Sequence, residues 1–418
     1  MGDCHPSEKP ALWTPSFILL TISNFGLATA FFALMATMGA YAVSEFSASN
    51  PQAGLVNSVF ILGAMVARIG AGRAIELKGY KPVMIGALIV HLLAIASYII
   101  SPTLFVVLVV RSVHGLGFGF SQTAVGGTVM ANVPPERRGE GSGWYTTGMS
   151  IGSGLAPFFS LALYNSSWGQ DGVFLATTAV AVMSLVTALI GIRFVDEGAG
   201  IVSRETSMPI VRLTTARKIR PRPVSLDGFI DKRAFPIGTV VALSAFTFAA
   251  TLTFLDGYAK TLSLSTTAQW YFVVYSAVIL FSRPAAGVIQ DRLGDDIVMI
   301  PLIISLTAGM VVTAYATTGL VLLLGAALLG LGYGTIVSAG QAMAVHAVGA
   351  TRAGLAVSSY FLLVDLGTGV APVILGSLLD PLGYRAMFLV AAAVAVIALV
   401  VYVLWVRQST TRGASDTD

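Results

Sequence analysis

Gly72-Arg-Ala-Ile-Glu76-Leu-Lys-Gly79 and Gly287-Val-Ile-Gln-Asp291-Arg292-Leu-Gly294 stand 215 residues apart and share their end glycines and their acid. The same offset sets Arg68 on Arg283 upstream of them. Downstream, Gly115, Gly117 and Gly119 meet Gly330, Gly332 and Gly334, and Arg137 meets Arg352. Gly152, Gly154, Ala156 and Pro157 then meet Gly367, Gly369, Ala371 and Pro372. Apolar residues replace one another easily, whereas glycines, prolines and charges do not, so the chain reads as a gapless internal duplication.

The duplicated unit is a set of apolar segments. At 56% hydrophobic and 11% charged, the 418 residues are too apolar for a soluble protein, whose charged share is about a quarter. Twelve stretches of about 20 residues are each long enough to cross a hydrocarbon core of about 30 Å. The first six are 15–42, 52–72, 82–100, 104–130, 142–164 and 172–194; the second six are 236–258, 267–290, 297–317, 319–345, 354–378 and 385–406. The expectation is an all-α membrane protein of twelve transmembrane helices in two six-helix bundles: 15–194 and 236–406, with a tail at 1–14, a central loop at 195–235 and a tail at 407–418. Two such halves around a central path are the usual plan of a membrane transporter.

The formal charge of +4 reports topology rather than nucleic-acid binding. Of 24 Lys and Arg, only Lys260 and Arg385 fall in loops expected outside and only Arg111 well inside a span; the rest, with Arg68, Arg193 and Arg283 toward span ends, are placed at one side, which the positive-inside rule makes cytoplasmic, with both termini there. A multi-pass protein of the cell membrane is expected, with the first span retained because no small-residue cleavage site follows it. The central loop is basic and interrupted by Pro209, Pro221 and Pro223, which suits a linker with one short amphipathic helix on anionic lipid headgroups. Cys4 is the single cysteine and the four histidines lack ligand spacing, so no metal site or disulfide is expected. There is no Walker loop and no nucleophile motif; neither enzyme activity nor a cofactor is expected.

The paired passages resemble the signature between spans 2 and 3 of the major facilitator superfamily, G-x-x-x-D-R-x-G-R-K, with Glu76 as the acid of the first copy and Asp291 of the second. Leu77 and Tyr80 replace two of its basic residues, and Asp295 and Asp296 stand where the second copy has basic ones. The resemblance covers essentially the whole chain. It implies a cytoplasmic latch that favours the outward-facing state, made of Gly72, Glu76, Gly79, Gly287, Asp291, Arg292 and Gly294. Arg68 and Arg283, one helical turn before the leading glycines, are its expected partners. The glycines are expected to allow close helix approach and positive φ.

Arg111-Ser-Val-His114-Gly115 in span 4 resembles the R-x-x-x-G element of proton-coupled antiporters in that superfamily. Arg111, Gly115, Phe118 and Gln122 share a helical stripe expected to face the central cavity. An arginine at mid-membrane costs about 2.5 to 3.5 kcal/mol on insertion scales and calls for water or a partner. Asp365 in span 11 is the other ionisable group placed inside a span and the first candidate for proton coupling, with Arg111. Asp256 and Glu45 are weaker candidates near helix ends, and His91 is expected in the scaffold. Span 5 carries Gly148, Gly152 and Ala156 at four-residue spacing before Pro157, a partial match to the antiporter element.

Cavity-facing candidates are Asn24, Phe31 and Met35 in span 1, His114 and Gln122 in span 4, Tyr145 and Met149 in span 5, and Phe246 in span 7. The second half adds Tyr271 and Tyr275 in span 8, Tyr333 and Gln341 in span 10, and Phe361 in span 11. Aromatic and Met-rich walls with few charges suit amphipathic organic solutes. The leading expectation is therefore a proton-coupled exporter of drug-like or metallophore-like solutes, working as a monomer. The alternative is an importer or facilitator of a sugar or organic acid, although the P-E-S-P-R signature of sugar porters is absent after span 6.

Overall fold

The computed structural model describes residues 11–134, 137–205, 231–348 and 353–407, and among them there are helices and no strands. Six helices form the first half: α1 (Pro15–Phe46), α2 (Asn50–Lys78), α3 (Tyr80–Ser97), α4 (Leu104–Asn132), α5 (Arg138–Tyr164) and α6 (Gly169–Glu205). The second half comprises α7 (Phe235–Thr261), α8 (Ser265–Leu293), α9 (Asp295–Ala314), α10 (Gly319–Leu329), α11 (Thr335–Val348) and α12 (Ala353–Val401). A π turn at Gly330–Gly334 joins α10 to α11 in one helical run, and a second follows α12 at Tyr402–Val406. Ten helical segments are long and apolar enough to cross a membrane.

Local chemistry repeats with the sequence. Thr103 and Thr318, 215 residues apart, cap α4 and α10 by accepting from Val106 N at 3.3 Å and Val321 N at 3.5 Å. Gly79 (φ 83°, ψ 165°) and Gly294 (φ 92°, ψ 169°) separate α2 from α3 and α8 from α9 in a conformation essentially reserved for glycine. Gly383 (φ 73°, ψ 172°) breaks α12 in the same way, so spans expected at 354–378 and 385–406 are joined by one sharp glycine kink rather than a loop. Glycine also sets packing. A Cβ on Gly115 or Gly119 would strike the α2 backbone, and one on Gly117 would strike His91 of α3. Gly330 meets α8 through Tyr275 O, and Gly332 meets α9 at Leu306. In both halves the fourth helical run is thus wedged between the second and the third. The expected close approach does not hold at Gly72 and Gly287, where an added Cβ would meet nothing within 4 Å.

Helix α6 continues past the expected end of span 6 to Glu205; residues 206–230, with most of the basic cluster on which a short amphipathic helix is expected, lie outside the described residues.

The halves meet along two faces related by the repeat. On one, α2 packs against α12: Gly54 abuts Pro372, Gly376 abuts Asn50, Gly369 abuts Ile61, and Asn50 Nδ2 donates to Asp380 Oδ1 at 2.6 Å. On the other, α5 packs against α8: Phe158 meets Trp270 with ring centroids 5.0 Å apart, and Gly154 abuts Phe272 and Ser276. All these contacts lie between mid-span and the end opposite the basic loops. Toward the basic end, α5, α8 and α11 part around a cavity of about 740 Å³ lined by residues including Trp144, Thr147, Ser150, Arg283, Gly287 and Asp291.

Candidate functional site

Each face ends, where the halves begin to part, on an arginine. On the α2–α12 face Arg68 Nε lies 2.7 Å from Asp365 Oδ2, with 25% and 14% of the two side chains exposed. The same guanidinium donates through Nη2 to Gln122 Oε1 at 2.9 Å and sits 5.9 Å from the centre of the Phe361 ring. Gln122 Nε2 points in turn at Met149 Sδ, 3.7 Å away. On the α5–α8 face Arg283 Nε donates to Gly334 O at 2.9 Å and Nη1 to Ser150 Oγ at 2.6 Å. The repeat relates the two arrangements residue by residue, because 68 maps on 283 and 150 on 365. One arginine therefore meets a carboxylate and the other a hydroxyl at equivalent places.

This placement corrects the expectation that Arg68 and Arg283 serve the latch. Helix α2 runs ten residues past Arg68 to Lys78 and α8 ten past Arg283 to Leu293, about 15 Å of helix in each case, so both arginines lie deep in the bundle. The latch residues themselves stand apart. Glu76 pairs within its own helix with Arg73 at 3.3 Å, and Gly72, Gly287, Asp291, Arg292 and Gly294 are exposed.

Arg111 is fully buried and held by α2, not by the cavity. Its Nε donates to Val56 O at 3.1 Å, its Nη2 to Asn57 Oδ1 at 2.8 Å, and its guanidinium lies 4.7 Å from the Phe60 ring centre. Met35 Sδ is also in reach of Nη2, and Asn57 Nδ2 donates to Thr253 Oγ1 of α7 at 3.3 Å, so this cluster touches the second half too. The expected stripe of Arg111, Gly115, Phe118 and Gln122 thus faces α1 and α2 along most of its length, and only Gln122 reaches the centre. Phe118 stacks on Phe31, with centroids 5.2 Å apart. His114 is not in the cavity: it is fully buried and bonded to Tyr98 (2.9 Å) and to His91 (3.1 Å).

Other candidates divide similarly. Gln122, Met149, Phe361 and Asp365 converge around Arg68. Asn24 is buried and donates to Tyr145 O at 3.3 Å; Tyr145 is itself buried. Tyr275 and Tyr333 both stack on Phe248, with centroids 5.3 and 4.4 Å away, and Tyr271 bonds Thr313 at 3.2 Å. Phe246 and Gln341 are half-buried. Asp256 is paired with Lys260 of the next helical turn at 2.7 Å, and Glu45 is exposed at the end of α1. Among the described residues no group of three His, Cys, Asp or Glu is placed to hold a metal ion.

A helical, multi-pass membrane protein whose two repeated halves enclose a polar centre and part at one end has the form of a solute transporter. The model of the Major Facilitator Superfamily matches residues 20–267 and 237–418, and the chain belongs to that family. It is 25% identical over 404 residues to multidrug resistance protein MdtG of Escherichia coli O9:H4 (strain HS), covering 94% of this chain and 95% of that protein. Its fold is shared with a bacterial homologue of the human lysosomal transporter Spinster (TM-score 0.73, 15% identity, 93% of this chain and 95% of that one). A mutant of the nucleoside transporter NupG shares it as well (TM-score 0.70, 13% identity, 93% and 99%). The chain is accordingly a transporter and not an enzyme.

Proposed function

We propose that this protein is a proton-coupled exporter of amphipathic organic solutes. Twelve spans form two six-helix bundles, 15–194 and 236–406: the ten apolar segments are completed by α5 and by division of the last 51-residue segment at Gly383. Helix α5 counts among the spans because Gly148, Gly152 and Gly154 seat it against α1 and α8 within the bundle. The basic loops and both termini face the cytoplasm of a bacterial inner membrane, and the conformation is inward-open. A single chain encloses the central site, so a monomer suffices.

The observation that carries the reading is the Arg68–Asp365 ion pair at the last contact of the α2–α12 face. A carboxylate there binds α12 to α2 and keeps the outer half shut. Solute entering from the cytoplasm draws the halves together at the basic end at the expense of that pair, and once the outer half opens the unpaired Asp365 takes a proton from outside as the solute leaves. The proton is released inward when the halves rock back and Asp365 re-forms its pair with Arg68. One net charge moved inward gains about 2.3 kcal/mol per 100 mV, enough to sustain a useful gradient of solute. Arg111, anchored to Asn57 and through it to Thr253, carries the change at Asp365 to the α1–α7 contact. The relatedness to multidrug resistance proteins supports drug-like cargo.

The test is proton movement in proteoliposomes. A proton gradient is imposed, amphipathic compounds are added, and a pH dye is followed for wild type and Asp365→Asn. Compound-triggered dissipation should occur with wild type and fall at least tenfold in the variant. Labelled solute that equilibrates without proton movement would make the protein a facilitator and return Asp365 to a scaffold role.

A further inference from the structure

The two repeat-related arginines differ in one respect that bears on cargo. Arg68 has its carboxylate, Asp365, supplied by the chain. Arg283 has only neutral partners, Gly334 O and Ser150 Oγ, and no carboxylate lies within 4 Å of it among the described residues. Yet Arg283 and Ser150 both line the 740 Å³ cavity at the basic end. The one acid among the lining residues of that wall, Asp291, is eight residues along the same helix, about 12 Å away, and so does not neutralise it. The residues that flank Arg283 on the cavity wall, Ile279, Leu280 and Pro284 of its own helix, are apolar, the polar side chains of the lining apart from Ser150 being neutral or distant, and a largely buried guanidinium there is costly unless an anion meets it. The equivalent position in the other half shows that a carboxylate fits against such an arginine, at 2.7 Å.

We infer that Arg283, with Ser150, is an anion-binding socket for cargo: it takes the carboxylate or sulfonate of an amphipathic solute whose aromatic body lies against the apolar cavity wall. The inference builds on the transport reading above and names the solute class for that cavity. Arg68 and Arg283 then have complementary duties, one reading the proton through Asp365 and the other reading the solute. The solute's anionic group fills, on the α5–α8 face, the place that Asp365 fills on the α2–α12 face.

The experiment is equilibrium binding to full-length protein in lipid nanodiscs, by calorimetric titration with naphthalene-2-sulfonate and its uncharged match, naphthalene-2-sulfonamide. Wild type should bind the sulfonate at least tenfold more tightly than the sulfonamide. Arg283→Gln should bring the two within about twofold by weakening the sulfonate alone. Ser150→Asp provides the control for folding: it keeps Arg283 but places a carboxylate where the repeat has Asp365, and should abolish the preference by occupying the socket from within. No saturable sulfonate binding by wild type, or a sulfonate preference that survives either variant, overturns the assignment. Because no proton gradient is present, this outcome is independent of coupling. A transporter that moves protons with cationic dyes but shows no sulfonate preference loses only the socket, and one that binds the sulfonate without moving protons loses only the antiport reading.

Discussion

Asp365 and Arg68 touch across the two halves, so their effects on function should not add. In wild type the carboxylate is stabilised by a guanidinium that is itself fixed by Gln122 and Phe361. Removing one member of a mostly buried pair leaves the other uncompensated, at a cost of about 3 to 5 kcal/mol, whereas removing both spares that penalty. Arg68→Gln is therefore expected to melt lower than Arg68→Gln/Asp365→Asn in detergent thermal scans, with coupled proton movement lost in both. Additive shifts would show that the two charges are not partners in the working protein. The sequence makes Asp365 conspicuous, since it is the acid inside span 11, but conceals its partner. Arg68 stands four residues before a signature glycine and reads as part of that signature; only the length of α2 beyond it reveals its depth. The offset of 215 does contain the missing signal, because it sets Ser150 opposite Asp365 just as it sets Arg283 opposite Arg68.

Among the elements, the repeated turns are the best place to separate conformational from packing roles of glycine. Gly294 has φ 92° and ψ 169° with open space where a Cβ would lie, so an alanine there suffers backbone strain and no collision. Gly54 is the opposite case, in a helix with its Cα against the Pro372 backbone. Gly294→Ala should lower stability by about 1 to 3 kcal/mol without changing the balance of conformations. Gly54→Ala should instead push α2 off α12 and raise the labelling of outer-half cysteines by an impermeant thiol reagent. Equal labelling in the two variants would remove the distinction. These turns were legible because backbone demands tie residue type to position, and the duplication displays each demand twice. The glycine kink at Gly383 was hidden, since its counterpart in the first half is a loop around Trp168 and Gly169. The burial of Arg111 and His114 was hidden too. A helical stripe gives the angle of a side chain about its own axis, but which neighbour occupies that angle is a property of the assembled bundle.

At the scale of the whole molecule the two interfaces decide whether access alternates. The α2–α12 face is closed from Asn50 and Asp380 to Arg68 and Asp365, and the α5–α8 face from Phe158 and Trp270 to Ser150 and Arg283. Both are shut on the side away from the basic loops, while the cavity beside Trp144 and Thr147 is open at the other. Rocking the halves about the arginine level must separate Asn50 from Asp380 if the solute is to leave on that side. Cys4 is the single native cysteine, so a Cys4→Ser background permits Asn50→Cys and Asp380→Cys to be joined by a short methanethiosulfonate cross-linker. Transport should fall to background when the two are linked and recover when a reductant cleaves the link. In the linked protein a cysteine in place of Thr147 should stay reactive from the basic-end side, since that side is held open. Full transport by the linked protein would mean that the halves never part at Asn50 and Asp380, and a rocking mechanism about Arg68 and Arg283 would then have to be abandoned.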